Sequence, residues 1–229
     1  MKYELAIFDM DGTILNTLED LTDSLNASLT HFGYPTRTLE EVRCFVGNGL
    51  MKLMERAVPA NTSTSDIQKV FAYFFQYYQE HCAIKTRPYD TITKTIETIR
   101  EKGIKTAVVS NKADVAVQEL CLQYFPGLFD FAIGEKEGNK RKPAPDAVNE
   151  TLEVLGFQKE QAVYIGDSDV DLATAKNANL DCIAVAWGFR DEAFLKECKN
   201  RTKYCLLSAQ CLQNNFMYSR SLFVPDFVR

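Results

Sequence analysis

Leu5-Ala6-Ile7-Phe8-Asp9-Met10-Asp11-Gly12-Thr13 is the stretch that decides the fold. Four apolar residues without helical spacing lead into acidic residues and a glycine, which predicts a buried strand followed by a turn. Side chains alternate along an extended chain, so Asp9 and Asp11 can face one side while Met10 faces the other. Two carboxylates this close repel each other and lose solvation unless a cation or a shared proton compensates. A divalent metal ion is the most economical compensation.

From Pro88 onward the chain alternates between strand-like and helical segments. Apolar runs that predict strands lie at residues 104–109, 129–133, 161–165 and 182–186. The segments between them have helical spacing and are long enough to be crossover helices. This alternation predicts an α/β fold with a doubly wound, parallel sheet. Tyr204–Leu207 predicts a further, short edge strand.

The stretch between the first strand and this alternation has helical spacing throughout. Apolar residues predict helices over Thr17–Thr30 and Leu50–Ala57, and another helix starts at Ser65. We interpret the aromatic stripe of that last helix as packing core; it consists of Phe71, Phe74, Phe75 and Tyr78.

These patterns divide the chain into regions. Residues 1–15 and 86–210 are predicted to form a Rossmann-like catalytic core, and residues 16–85 an inserted α-helical cap domain. Residues 211–229 form a tail without a pattern that we can interpret.

Composition excludes several classes of protein. The 229 residues are 46% hydrophobic and 25% charged, and the net charge of −5 comes without a basic block that would bind nucleic acid. No secretory signal pattern and no apolar run of membrane-spanning length is present, so we expect a cytoplasmic protein without a membrane partner. The seven cysteines, an odd number without Cys-x-x-Cys spacing, predict neither a disulfide framework nor a zinc site.

Residues at the predicted strand ends have complementary chemistry. In an open parallel sheet, ligands bind beyond the carboxyl ends of the strands, where Asp9, Ser110 and Asp167 lie. This set, with Lys142, suits phosphoryl transfer through an aspartyl phosphate, because a carboxylate is ionised at neutral pH and the acyl phosphate is labile to water. Mg²⁺ held by Asp9 and Asp167 would cancel the charge of the phosphoryl group.

The other residues of the predicted site have separate tasks. Ser110 offers a hydroxyl and Asn111 an amide to the phosphate, next to a predicted helix N-terminus that attracts anions. Lys142 supplies a positive charge for the phosphate and the nucleophile. Asp11 can give a proton to the leaving alkoxide and then take one from the attacking water. Gly12, in the adjoining turn, is included among the substrate-binding residues.

These motifs, in this order and with a helical insert after the first, resemble the haloacid dehalogenase superfamily of phosphohydrolases. The matching segments are Asp9–Thr13, Ser110, Lys142-Pro143 and Gly166–Asp171. The resemblance implies that Asp9 is the nucleophile and a metal ligand. It implies that Asp11 is the acid/base and binds the metal through its backbone carbonyl. It also implies that Asp167 binds Mg²⁺, while Asp171 orients Lys142 or a metal-bound water.

Each residue also has a plainer interpretation. Asp9 and Asp11 are common turn formers, and Ser110 can cap a helix. Lys142 can be a solvated charge, and acidic residues from Asp167 onward suit a helix N-terminus. Together these plainer interpretations leave a cluster of acids at one end of the sheet without a counterion. We therefore favour the interpretation that these residues form the active site of an enzyme.

The cap sequence bears on the substrate. Arg43–Leu50 resembles the cap of bacterial phosphoglycolate phosphatases. The glycines around Asn48 would form an anion-binding nest with Arg43 nearby, or simply a tight turn. On the first interpretation, Arg43, Gly47 and Asn48 bind the carboxylate of a small substrate. We therefore predict a Mg²⁺-dependent phosphatase for a small phosphorylated metabolite, with phosphoglycolate preferred, acting as a monomer or homodimer.

Other functions stay open at this point. A β-phosphoglucomutase-like phosphomutase and a pyrophosphatase of the same superfamily are alternatives, although residues 16–85 contain no distinctive sugar-binding pattern. A haloacid dehalogenase lacks the second carboxylate, so Asp11 argues against it. A phospho-receiver signalling domain also phosphorylates an aspartate on a doubly wound sheet, but it has no helical lid.

Overall fold

A computed structural model of the chain describes residues 3–47 and 49–198, together with the backbone of residues 205–207. Its strands, in chain order, are β1 (Leu5–Phe8), β2 (Leu15–Asn16), β3 (Arg87–Pro88), β4 (Lys105–Ala113), β5 (Phe131–Glu135), β6 (Ala162–Gly166), β7 (Asp181–Val185) and β8 (Cys205–Leu207). Strands β2 and β3 pair with each other. The others form one parallel sheet in the order β5-β4-β1-β6-β7-β8. The predicted doubly wound α/β fold is confirmed, and β8 is the predicted edge strand.

Helices occupy most of the chain between the strands. In chain order they are α1 (Leu18–His31), α2 (Leu39–Phe45), α3 (Leu50–Ala57), α4 (Thr64–His81), α5 (Ile92–Glu101), α6 (Asp114–Tyr124), α7 (Asp146–Leu155), α8 (Asp169–Ala178) and α9 (Glu192–Cys198). The sequence did not predict α9, because a seven-residue helix whose buried member is Leu195 is too short to show a period. None of the described helices combines the length and the apolar content needed to cross a membrane.

The described chain folds into two compact units. One contains the main sheet and takes in the chain up to Leu15 and from Pro88 onward, while the other is Asn16–Arg87 with α1 to α4. The sequence-based boundaries lie at residues 15/16 and 85/86. Residues 211–229, the predicted tail, lie outside the described residues.

Burial on both faces explains why β1 is an unbroken apolar run. All residues of Leu5–Phe8 are fully buried, and β4 and β6 pair with this strand on either side, so that Ile7 lies opposite Ala107 and Tyr164. Helices α7 and α8 contribute to the apolar cluster on one face the residues Val148, Leu152, Leu172 and Ala175. This central position of β1 fixes the residues that follow it.

The second unit is held together by the packing of α1 against α4. The Ser28 hydroxyl of α1 donates a hydrogen bond of 2.9 Å to the Val70 carbonyl of α4. The interpretation of the aromatic stripe as core is right for Phe74 and Tyr78, which are buried, but wrong for Phe75, which is 36% exposed. The buried residues of α4 follow a spacing of four from Val70, and Phe75 lies one position beyond that row.

Strand β4 extends further than the sequence predicts. It was expected to end at Val109 but continues to Ala113, and α6 begins only after that residue. Val109 lies opposite Ile133 and Ala113 opposite Glu135, so β4 advances by four residues while β5 advances by two. The extra residues form a bulge that contains Ser110–Lys112. The helix N-terminus that the sequence predicts after these residues is that of α6, with Ala113 as its N-cap residue and Asp114 as its first residue.

Asp130 fastens β4 to its surroundings. Its carboxylate accepts hydrogen bonds from Arg100 Nη1 (2.5 Å), Lys105 Nζ (2.7 Å) and the main-chain N–H of Thr106 (3.0 Å). Partial burial acts to raise the pKa of Asp130, but these donors outweigh it and hold the pKa below its ordinary value. We expect Asp130→Asn to lower the free energy of unfolding at pH 7 by about 1 kcal/mol, because Arg100 and Lys105 remain partly exposed to solvent.

The pH dependence follows from the direction of this shift. A lowered pKa stabilises the fold above the carboxyl pKa of the unfolded chain, about 3.9, and the stabilisation is lost as the pH falls through the value in the folded protein. Urea unfolding between pH 7 and pH 3 should therefore show the difference between wild type and Asp130→Asn shrinking. Asp90→Asn, at an exposed carboxylate, is the control and should match wild type throughout. A difference that stays constant would contradict the ion-pair account.

Candidate active site

Neighbouring strands bring acids and a hydroxyl to one edge of the sheet. Strands β4, β1 and β6 are adjacent and parallel, so their carboxyl ends meet at the same edge. Asp9 follows β1, Asp167 follows β6, and Ser110 lies in the bulged end of β4. Carboxylate oxygens of Asp9, Asp167 and Asp171 all lie within 4.8 Å of one another. The structure thus brings together acids that the sequence keeps far apart.

The residues at the end of β1 and in the turn that follows differ in their exposure to solvent. The Met10 carbonyl accepts hydrogen bonds from the N–H groups of Thr13 (3.2 Å) and Ile14 (3.0 Å), and the Met10 side chain is fully buried. The Met10 N–H donates to Asp9 Oδ1 at 2.7 Å. Asp9 is buried at the strand end, whereas the Asp11 side chain is 24% exposed. Asp11 is therefore the carboxylate of this pair that is more accessible to solvent.

Gly12 is required by the geometry of this turn. Its φ is +87°, and a Cβ at this position would lie 2.4 Å from Asp167 Oδ2. The absence of a side chain therefore lets the turn pack directly on Asp167. The Gly12 N–H donates to the Leu15 carbonyl at 2.9 Å. Because that N–H is already engaged, the role of Gly12 in substrate binding stays a prediction.

Lys142 is buried among the acids. Its Nζ lies 2.8 Å from Asp9 Oδ1, 2.8 Å from Asp171 Oδ1 and 3.1 Å from the Tyr164 hydroxyl. Asn111 holds the main chain of Lys142, accepting from its N–H at 2.8 Å and donating to its carbonyl at 3.1 Å. The Asn111 amide is therefore occupied by Lys142, and a direct role toward phosphate stays a prediction.

The acids of this cluster outnumber its buried cation. Burial, followed by the charge of Asp171, raises the pKa of Asp9 well above its ordinary value despite Lys142. Burial and Asp171 also raise the pKa of Asp167 to about 7, although the Phe189 N–H counteracts them. Burial acts to lower the pKa of Lys142, but Asp171 and Asp9 outweigh it, and the pKa is raised. The cluster is short of positive charge.

The free oxygen atoms of this cluster fit a divalent metal ion. Asp9 Oδ1 contacts Lys142, whereas Asp9 Oδ2 accepts no hydrogen bond from the described residues. Each Asp167 oxygen accepts one hydrogen bond, from the Thr13 hydroxyl (3.0 Å) and the Phe189 N–H (2.7 Å), which leaves lone pairs on both. Carboxylate oxygens are the ligands that Mg²⁺ prefers.

Asp171 supports the cluster from the first turn of α8. Its Oδ2 accepts from the Ser168 hydroxyl (2.6 Å) and N–H (3.1 Å), while its Oδ1 accepts from Lys142 and from the Tyr164 hydroxyl (3.2 Å). A Cβ on Gly166 would lie 2.4 Å from the Asp171 side chain, so a glycine is needed at the end of β6. With both oxygens occupied, Asp171 has the contacts required to orient Lys142.

The loop after β7, which sequence reasoning missed, encloses Asp167. Trp187 Nε1 donates to the Thr13 carbonyl at 3.0 Å, and the Phe189 N–H donates to Asp167 Oδ2. A Cβ on Gly188 would lie 2.4 Å from Asp167 Oδ2 and 2.4 Å from a carbonyl of the turn after β1. The sequence could have indicated this loop only by its position directly after the predicted strand at residues 182–186, whose carboxyl end lies at the same edge of the sheet.

Lys112 is also absent from the sequence-based site. Its Nζ lies 3.3 Å from Asp11 Oδ1, and its side chain is 5% exposed. Its main-chain N–H donates to the Ser110 hydroxyl oxygen at 3.2 Å, which leaves the hydroxyl hydrogen available to a ligand. The signal for Lys112 was its place beside Ser110 and Asn111.

The predicted cap residues lie in the second unit. Gly47 and Gly49 have φ values of +108° and +88°, as a nest or a tight turn requires, and Asn48 lies outside the described residues. Arg43 Nη2 forms an ion pair with Glu40 at 3.2 Å. A role for Arg43, Gly47 and Asn48 in substrate binding stays a prediction.

Comparison with known families agrees with this geometry. Residues 6–185, which span the sheet edge and its acids, match the family of haloacid dehalogenase-like hydrolases. The chain belongs to this family. The resemblance stated from the sequence is confirmed, and so is the prediction of an enzyme that is a phosphoric monoester hydrolase.

Three similar proteins cover most of the chain. The phosphoglycolate phosphatase of Aquifex aeolicus is 30% identical over 186 residues, covering 81% of this chain and 85% of its own. The phosphoglycolate phosphatase of Psychrobacter arcticus is 32% identical over 198 residues, covering 82% and 86%. The crystal structure of an inferred phosphoglycolate phosphatase from Lactobacillus delbrueckii subsp. bulgaricus has a TM-score of 0.88 and 39% identity, covering 96% of this chain and all of the other.

We expect Gly188→Ala to disturb the site more than the fold. The added Cβ would press on Asp167 and on main-chain atoms that cannot move aside, so kcat/KM should fall at least tenfold. Gly127→Ala is the control for adding a methyl group, because nothing lies within 4 Å of the added Cβ. The φ of Gly127 is +72°, a conformation that alanine adopts only with strain. This variant should lose about 1 kcal/mol of stability to backbone strain and keep its activity. Equal activity in the two variants would contradict a role for the loop in holding Asp167.

Proposed function

We propose that the chain is a Mg²⁺-dependent phosphatase that hydrolyses phosphoglycolate through an aspartyl phosphate on Asp9. The Asp9 carboxylate carries this proposal. Its Oδ1 is held 2.8 Å from Lys142, and its Oδ2 accepts no hydrogen bond from the described residues and is left to react. The shortage of positive charge around it supports the requirement for a divalent cation.

In the first half-reaction, Asp9 Oδ2 attacks the phosphorus atom of the substrate. The new Oδ2–P bond forms while the bond from phosphorus to the alkoxide oxygen breaks, and Asp11 gives its proton to that oxygen. Lys142 holds Asp9 in orientation and offsets the negative charge that builds up on the phosphoryl oxygens. The Ser110 hydroxyl donates to one of these oxygens.

In the second half-reaction, water attacks the phosphorus atom of the aspartyl phosphate. Asp11, now ionised, takes a proton from that water, and the Oδ2–P bond breaks to release inorganic phosphate and the free Asp9 carboxylate. Asp11 ends the cycle protonated, as it began. One side chain thus serves both half-reactions.

The metal ion would be held by Asp167 and by a lone pair of the Asp9 carboxylate that the attack on phosphorus does not use, with the backbone carbonyl of Asp11 as a further ligand. When bound, Mg²⁺ supplies positive charge to the phosphoryl oxygens during transfer. Asp171 orients Lys142 rather than binding the ion directly, because both of its oxygens are occupied by donors.

The choice of phosphoglycolate rests on the relatives and on the cap. The two named relatives are phosphoglycolate phosphatases. Their substrate carries a carboxylate beside its phosphate. Arg43 offers a cation, and the positive φ values of Gly47 and Gly49 suit a backbone nest for such an anion. A cytoplasmic location and a monomeric or homodimeric state stay predictions.

A panel of phosphate esters assayed with Mg²⁺ tests the substrate. We expect the highest kcat/KM for phosphoglycolate among phosphoglycolate, β-glucose 1-phosphate, pyrophosphate and p-nitrophenyl phosphate. Preference for the sugar phosphate, with formation of an isomer, would indicate a mutase. Preference for pyrophosphate would indicate a pyrophosphatase, and either result would contradict the substrate proposal.

Asp9→Asn tests the nucleophile in the same panel. Turnover should fall by at least a thousandfold for every ester, because no carboxylate is left to accept the phosphoryl group. The fold should be no less stable than wild type without metal, since burial already disfavours the Asp9 charge. Thermal melting checks this, and an active Asp9→Asn protein would contradict the mechanism.

Trp187 allows metal binding to be measured without turnover. It is the one tryptophan in the sequence, and its indole contacts the turn that carries Asp9. We expect a saturable change in tryptophan fluorescence on titration with Mg²⁺, shifted to at least tenfold higher concentration in Asp167→Asn. Asp146→Asn, in the first turn of α7, should titrate like wild type. Identical titrations in the two variants would contradict the proposed ligand.

A further inference from the structure

Lys112 is a buried lysine for which the reaction above has no task. Its side chain is 5% exposed, and its Nζ lies 3.3 Å from Asp11 Oδ1. The two buried lysines of this edge contact different acids, because Lys142 lies between Asp9 and Asp171. A buried ammonium loses the solvation of water and needs an acceptor within the protein to compensate. Lys112 is therefore not a solvated surface charge, and its burial beside Asp11 needs another explanation.

The fold fixes the main chain of Lys112 closely. In the bulged end of β4, Ser110 and Lys112 are buried while Asn111 is partly exposed, as expected for alternating side chains. Gly134 of β5 packs against this bulge, since a Cβ there would lie 2.5 Å from the Lys112 carbonyl oxygen. The Gly134 N–H donates to Asp114 Oδ1 at 2.7 Å, which fastens β5 to the start of α6.

We propose that Lys112 is a positioning residue that holds the Asp11 carboxylate in one orientation for proton transfer. This inference rests on the proposed function, in which Asp11 protonates the leaving oxygen and then deprotonates water. Asp11 stands on a turn and is the more exposed partner of the ion pair, so its side-chain torsions are free to rotate once the lysine is removed. Lys112 keeps its own protons throughout and donates to Asp11 Oδ1 in both protonation states of the carboxyl group, so that Asp11 Oδ2 carries the transferred proton.

Lys112→Met tests this role, because it removes the ammonium and keeps the aliphatic chain. We expect kcat for phosphoglycolate to fall at least tenfold while KM stays within threefold, since the proton carrier is misplaced but the substrate is still bound. Lys112→Gln repeats the measurement with a polar side chain. Lys105→Met is the matched control in the same strand: its ammonium is 54% exposed and pairs with Asp130, and its kcat and KM should match wild type.

A double-mutant cycle with Asp11→Asn separates positioning from other roles. Once the carboxylate is gone, adding Lys112→Met should change kcat by less than twofold, because nothing is left to hold. Effects that multiply would overturn the inference, and so would a raised KM with unchanged kcat, which would indicate that Lys112 binds the substrate. Failure of both Lys112 variants to fold, seen by thermal melting, would assign the lysine to stability and also overturn it. Wild-type protein that hydrolyses no ester would instead overturn the proposed function, and this inference with it.

Discussion

The arrangement of the buried acids depends on the ion pairs that the Lys142 ammonium forms with Asp9 and Asp171. The ammonium lies 2.8 Å from both Asp9 and Asp171, and without it these carboxylates would face each other in a poorly solvated interior. Asn111 holds its main chain and Tyr164 contacts its Nζ, so the ammonium is not free to follow one acid away from the other. Asp9 is consequently fixed with one oxygen toward the lysine and the other unbound.

One lysine does not neutralise three buried acids, and this imbalance has a chemical use. The raised pKa values of Asp9 and Asp167 mean that their ionised forms are costly in the protein alone. In the proposed mechanism the nucleophile must be ionised, and a bound divalent cation would favour that form. A divalent cation held by these acids would lower the free-energy cost of ionising Asp9.

Sequence patterns were enough to predict Asp9, Ser110 and Asp167 as neighbours, because each follows or ends an apolar strand and the parallel-sheet rule turns strand ends into spatial proximity. Lys112 and Gly188 were missed for a physical reason. Their contacts depend on a bulge against β5 and on the packing of a loop over Asp167, and neither leaves a periodic signal in the sequence. For the same reason, the sequence could suggest that the Asn111 amide binds phosphate, but it could not show that this amide is bonded to the main chain of Lys142.

Because β4 extends to Ala113, two consecutive residues at its end have different partners: Asn111 contacts Lys142, and Lys112 contacts Asp11. Adjacent side chains of an extended chain point to opposite sides, so Asn111 reaches the main chain of Lys142 while Lys112 reaches Asp11 after β1. Had the strand ended at Val109 and a helix begun there, successive side chains would turn by about 100° and could not meet both partners from consecutive positions. The bulge therefore connects, within a single strand, the side chain that holds the main chain of Lys142 beside Asp9 and the lysine that contacts Asp11.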